Sequence, residues 1–132
     1  MKTAFDEIME YISGIEIIDT HEHLPHKEEA RPHDTDVLKE YLSHYFSRDL
    51  ISAGLSIEDY RKVVDITLPL MKRWELVEHY WENARNTGYG RALDISVWAL
   101  YGIDRICRET IEELNEKFKA SLKGGHYEKV LK

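Results

Sequence analysis

Two histidines separated by one residue, His21 and His23, are the residues whose type and spacing most clearly indicate chemistry. They end an isoleucine-rich run that begins at Ile15, and β-branched residues of this kind predict a strand. Side chains two positions apart in a strand point to the same face, so the two imidazoles should leave one side, about 7 Å apart at the backbone. The spacing therefore predicts the first two ligands of a metal site.

The imidazole pair narrows the choice of metal without fixing it. Imidazole nitrogen suits zinc, iron, manganese, nickel and copper. We expect a divalent ion, with zinc as the first choice. A mononuclear catalytic site also needs a third protein ligand and an open position for water, and its ion would lower the pKa of that water or polarise a carbonyl group. Asp19 shares the predicted face and either orients one ring or is a buried structural carboxylate.

The competing interpretation is that the histidine pair is incidental. A His-x-His pair arises by chance fairly often, and a histidine at a strand end is commonly a surface residue. The position of the pair favours the metal site, because the predicted strand ends in a loop containing Pro25. Strand ends that meet loops are where barrel enzymes hold their active sites.

Helices are predicted on both sides of this strand. Thr3 and Asp6 have the form of a capping box for a short first helix that ends near Ser13. Later helices are expected to follow start signals at Asp34 or Thr35, Ser56, Pro69, Gly90 and Thr110, and to end at Gly54, Gly88, Gly102 and Gly124.

A single strand followed by helices is not a self-sufficient sheet, because its backbone groups have no ladder partner within the chain. The strand is therefore expected to pair with something outside these residues. We assign the chain to the α/β class as the amino-terminal part of a larger fold, with the present residues mainly α. A closed barrel of eight strand-helix units takes roughly 250 residues, and the chain has 132.

Composition and charge exclude several classes of protein. The chain is 42% hydrophobic and 33% charged, which is typical of globular proteins, and its net charge of −7 opposes nucleic-acid binding. Its first residues do not resemble a signal peptide, and no run of 18 apolar residues predicts a membrane span. The single cysteine, Cys107, favours a reducing compartment. We expect a cytoplasmic protein with a small-molecule partner.

The segment Ile18-Asp19-Thr20-His21-Glu22-His23-Leu24 resembles the first-strand signature of the amidohydrolase superfamily. In that superfamily Asp-x-His-x-His supplies two metal ligands at the carboxyl end of the first strand of a TIM barrel. The helices after the strand, including the stretch from Ala84 to Gly88, are similar to the insertion of the amidohydrolase-related branch that contains the uronate isomerases.

The resemblance implies a division of the chain and an activity. Residues 1–25 would be the first helix and strand one, and residues 26–132 a helical insertion. The complete protein would be a metal-dependent hydrolase acting on a C–N or related bond through activated water, or alternatively an aldose-ketose isomerase. The remaining ligands and the acid-base residue would lie on later strands, so this part alone should be inactive.

Two arginines near a glycine turn are candidate substrate ligands. Arg85 or Arg91 could hold a substrate carboxylate through its guanidinium group, although capping of a helix end and surface pairing are the simpler interpretation. A non-enzymatic alternative for the whole chain is a helical interaction module whose strand adds to a partner's sheet. Exposed apolar faces also predict self-association.

Overall fold

The computed structural model of the protein describes residues 2–18, 20–21 and 23–131, and they are mainly helical. The mainly α character predicted for the chain is therefore confirmed. In chain order the helices are α1 (Ala4–Ser13), a short 3-10 helix (Glu28–Ala30), α2 (Val37–Tyr41), α3 (Phe46–Ser52), α4 (Ile57–Val63), α5 (Leu70–Ala84), α6 (Gly88–Tyr101), α7 (Ile111–Ser121) and α8 (His126–Val130).

The segment from Ile15 to His23 differs from the prediction. Its described residues form neither helix nor strand. A strand is defined by its ladder of hydrogen bonds, and none of the described residues provides a second strand. Ile17 and Ile18 are 83% and 79% exposed, so the described part of the chain covers little of these two side chains.

Helix α1 begins as its sequence predicts but does not join the core. The Thr3 hydroxyl accepts from the backbone N–H of Asp6 at 3.2 Å, and the Asp6 carboxylate accepts from the N–H of Thr3 at 2.8 Å. This confirms the capping box. None of its residues is buried, and Phe5 and Tyr11 are 70% and 74% exposed.

Helix α5 lies at the centre of the core. It packs against α2, α3, α4 and α7. Its buried residues Trp74, Val77, Trp81 and Ala84 recur every three or four positions, which places them along one side of the helix. The Trp81 indole N–H donates to the carbonyl of Ile106 at 2.9 Å, which ties α5 to the segment between α6 and α7. Helices α2 to α7 thus share one hydrophobic core.

Several helix boundaries differ from the sequence prediction. The helix expected to follow Asp34 or Thr35 is divided into α2 and α3, because the chain turns at His44, whose φ is +51°. Gly88 begins α6 instead of ending α5, since the Thr87 hydroxyl caps α6 by accepting from the N–H of Gly90 at 3.2 Å. The prediction for Gly102 is confirmed by its left-handed φ of +65°.

Within the described ranges, the search for a helix with the length and apolar character needed to cross a bilayer finds none.

Candidate metal centre

The structure brings the two predicted ligands together. The Nε2 atoms of His21 and His23 lie 2.7 Å apart, and the ring centroids are separated by 4.7 Å with an interplanar angle of 66°. Both residues are exposed to solvent. The convergence expected from the one-residue spacing is therefore present although the described residues of the segment form no strand.

The arrangement of the two nitrogens fits a shared cation after a small adjustment. The 2.7 Å contact has the length of a hydrogen bond, and which ring donates depends on the tautomers of the two imidazoles. A tetrahedral ion with bonds of about 2.0–2.1 Å would hold two nitrogens about 3.3 Å apart. Binding of a cation thus requires the two Nε2 atoms to separate by about 0.6 Å from their 2.7 Å contact and both to present lone pairs. Two imidazoles are a suitable donor set for zinc.

A third ligand is not found in the part of the chain that the structure describes, where no group of three or more histidine, cysteine, aspartate or glutamate side chains could hold an ion. Asp19, predicted to orient a ring, lies outside the described residues. His26 and His33 are exposed in the following loop.

His44 is the nearest further histidine that the sequence did not single out. Its ring centroid lies 6.3 Å from that of His23. Its left-handed conformation is uncommon for a residue with a side chain, and the Ser47 hydroxyl donates to its carbonyl at 2.6 Å. No local signal marks this turn. His44 approaches the pair only because α2 and α3 are packed on the core.

A cavity of about 220 Å³ opens beside His44. The rings of Tyr45 and Tyr89 are stacked there with centroids 5.5 Å apart and an interplanar angle of 11°. Glu40 and Tyr41 line its inner part. The candidate metal centre thus lies beside an aromatic surface contributed by α6 and by the turn before α3.

The loop that follows the histidine pair is anchored by the carboxyl end of the described chain. The Glu28 carboxylate accepts from the backbone N–H groups of Gly125 and His126 at 3.1 and 2.6 Å. The Tyr127 hydroxyl donates to the carbonyl of Pro25, two residues beyond His23, at 2.7 Å. Helix α8, which the sequence prediction missed, therefore fixes the chain immediately after the candidate ligands.

Arg85 and Arg91 lie together at a different place. Both line a surface pocket with Asp94 and Trp98. The Arg85 guanidinium is already paired with the Asp94 carboxylate at 3.0 Å, and its side chain is 17% exposed. Arg91 is exposed.

The two arginines and His44 lie on opposite sides of α6. Tyr89, Leu93 and Ser96 face the cavity beside His44, whereas Arg91, Ile95 and Trp98 face the arginine pocket. Helical residues advance by about 100° each, so these two sets point in opposite directions. The structure does not bring the arginines to the histidine pair, and their role in binding substrate stays a prediction.

Comparison of the chain with protein-family models, with curated proteins and with solved structures gave no match.

Proposed function

We propose that the chain is the amino-terminal part of a metal-dependent hydrolase of the amidohydrolase superfamily, in which His21 and His23 hold a divalent cation, zinc first among the candidates. The observation that carries the proposal is the 2.7 Å separation of the two Nε2 atoms. It adds a spatial argument to the resemblance of the Asp-x-His-x-His segment.

The exposed isoleucines support placing this segment in a larger sheet. Ile17 and Ile18 are adjacent, so in a strand their side chains would point to opposite faces, and both are largely exposed. A strand that is covered on both faces, as in a parallel barrel, carries apolar side chains on both faces. Further strands of a barrel would cover both faces and would contribute the remaining ligands.

In the proposed enzyme, His21 and His23 orient two imidazole lone pairs toward one point, and the anchored loop after Pro25 limits their movement. A bound divalent cation would supply Lewis acidity, which lowers the pKa of water or polarises a carbonyl group. An aldose-ketose isomerase of the same superfamily would use the same two ligands, so the His pair supports the metal site more directly than it supports hydrolysis.

The proposal is tested by calorimetric titration of the chain with Zn²⁺. We expect one equivalent to bind, and we expect the double change His21→Ala and His23→Ala to weaken binding at least tenfold, because both donors are removed. The matched control is His26→Ala with His33→Ala, which removes the same number of imidazoles from the neighbouring loop and should leave the affinity unchanged.

Equal Zn²⁺ affinity of the wild type and the His21/His23 variant would contradict the proposal. A loss of Zn²⁺ affinity only in the His26/His33 control would also contradict it. Either result would favour the alternative of an interaction module with incidental histidines.

A further inference from the structure

A second cavity, with a volume of about 310 Å³, lies between α2, α6 and α7 and shares Glu40, Tyr41 and Leu93 with the cavity beside His44. Its polar lining includes Arg31, Tyr41, Tyr101 and His126, and its apolar lining includes Leu93 and Phe118. It thus combines an apolar wall with a small number of convergent polar groups, which is the usual composition of a small-molecule site.

Arg31 brings a weakly paired guanidinium to the wall of this cavity. Its side chain is 11% exposed, and the nearest carboxylate oxygen, on Glu28, is 3.9 Å from its Nη1. The Glu28 oxygens are instead engaged by backbone N–H groups at the start of α8. The Arg31 guanidinium donates to the carbonyl of Ser121 at 3.3 Å, which is a long, uncharged contact. A largely buried guanidinium normally has a closely paired anion.

Two neutral donors accompany the guanidinium. Burial raises the pKa of the Tyr41 hydroxyl far above its ordinary value, Tyr101 raises it further, and Arg31 lowers it only in part. Burial, followed by the charge of Arg31, lowers the pKa of His126. At neutral pH both groups therefore carry a hydrogen that can be donated, and neither supplies a negative charge to Arg31.

Glu40 limits the charge of the ligand. It also lines the cavity, and its Oε1 accepts from the Thr35 hydroxyl at 2.6 Å. A second anionic group on a ligand would be repelled by this carboxylate, whereas an apolar group would pack on Leu93 and Phe118.

From these observations we infer that the cavity is a binding site for a small organic monocarboxylate with an apolar body, with Arg31 as its anion-binding residue. The ligand carboxylate replaces the missing close partner of the guanidinium, and Tyr41 adds a neutral hydrogen bond. Neither His21 nor His23 lines this cavity, so the inference does not rest on the proposed metal-dependent function.

The test is titration of the complete chain with benzoate, followed by NMR chemical shifts. We expect saturable binding at one site, with shifts centred on Leu93 and Phe118. Benzamide, which has the same shape and no charge, should bind at least tenfold more weakly. Phthalate, which adds a second carboxylate, should also bind more weakly than benzoate, and Glu40→Gln should reduce that difference.

Arg31→Gln should weaken benzoate binding at least tenfold, and Tyr41→Phe should weaken it a few-fold while removing a single hydroxyl. Arg61→Gln removes the same charge from an exposed position on α4 and should leave the affinity unchanged. Equal affinity for benzoate and benzamide, equal affinity of the Arg31 and Arg61 variants, or no saturable benzoate binding would each overturn the inference. Tyr41→Phe keeps the test decisive if Arg31→Gln does not fold.

Discussion

Arg73 and Asp36 form a buried ion pair within the core. The two side chains are 2% and 7% exposed. The Arg73 Nη1 donates to Asp36 Oδ1 at 3.1 Å and to the carbonyl of Val63 at 3.2 Å. Asp36 also caps α2 by accepting from the N–H of Lys39 at 3.1 Å. One carboxylate thus joins the start of α2 to the centre of the core.

We predict that Asp36→Ala lowers the free energy of unfolding by about 3–5 kcal/mol, because it leaves the Arg73 guanidinium buried without its carboxylate. The double variant Asp36→Ser with Arg73→Met should recover much of this loss, since the charge is then absent and serine retains the helix cap. Urea unfolding followed by circular dichroism measures each value.

Lys72→Ala is the control for the ion-pair prediction. It removes an exposed charge from the same helix, and it should have a much smaller effect because solvent screens its pair with Glu75. A single Asp36 variant as stable as the wild type, or a double variant less stable than the single one, would contradict this account of the pair.

The junction between α5 and α6 depends on the absence of a side chain at Gly90. A Cβ atom there would lie 2.6 Å from the backbone oxygen of Arg85, and a backbone contact of that length cannot be relieved by rotation of a side chain. A Cβ atom at Gly88, two residues earlier in the same helix, would meet nothing within 4 Å. The two glycines therefore differ in role although they share a helix.

We predict that Gly90→Ala destabilises the protein by about 1–3 kcal/mol, because α6 must move away from the end of α5. Gly88→Ala should instead stabilise it by about 0.4–1 kcal/mol, because alanine restricts the unfolded chain without a clash. Thermal unfolding of the two variants checks whether their stabilities change in opposite directions. Equal shifts of the unfolding midpoint would refute the close approach of Gly90 to the Arg85 backbone.

The molecule has a packed helical part and an amino-terminal segment whose described residues contribute no buried side chain to the core. Helix α1 has no buried residue, and Ile17 and Ile18 extend into solvent. Helix α7, by contrast, buries Ile111, Leu114 and Phe118. Stability should therefore depend strongly on which end of the chain is removed.

We predict that deletion of residues 1–20 changes the midpoint of thermal unfolding by less than about 3 °C, since little apolar area is lost from the core. The shortened chain should also self-associate less, because the exposed apolar side chains of α1 and of Ile17 and Ile18 are gone. Circular dichroism and light scattering after gel filtration measure the two effects. Deletion of residues 110–132, which removes α7, should instead abolish cooperative unfolding. A large loss of stability on removing residues 1–20 would show that α1 belongs to the core.

Local patterns in the sequence determined many of the helices and the identity of the histidine pair. The capping residues Thr3 and Ser56 and the left-handed Gly102 act within a few residues of their own position, so their effects can be recognised without a fold. The one-residue spacing of His21 and His23 similarly restricts the relative positions of their imidazole rings.

Only the tertiary structure decided how distant segments meet. The turn at His44, the loop anchor between Glu28 and His126, and the pairing of Asp36 with Arg73 each depend on residues brought together by the core. The predicted strand is a further example of what local sequence cannot determine. β-branched residues favour an extended backbone, but a ladder of hydrogen bonds exists only where a second strand pairs with the first. Side-chain type and spacing act locally, whereas pairing, burial and the shape of a cavity are properties of the packed chain.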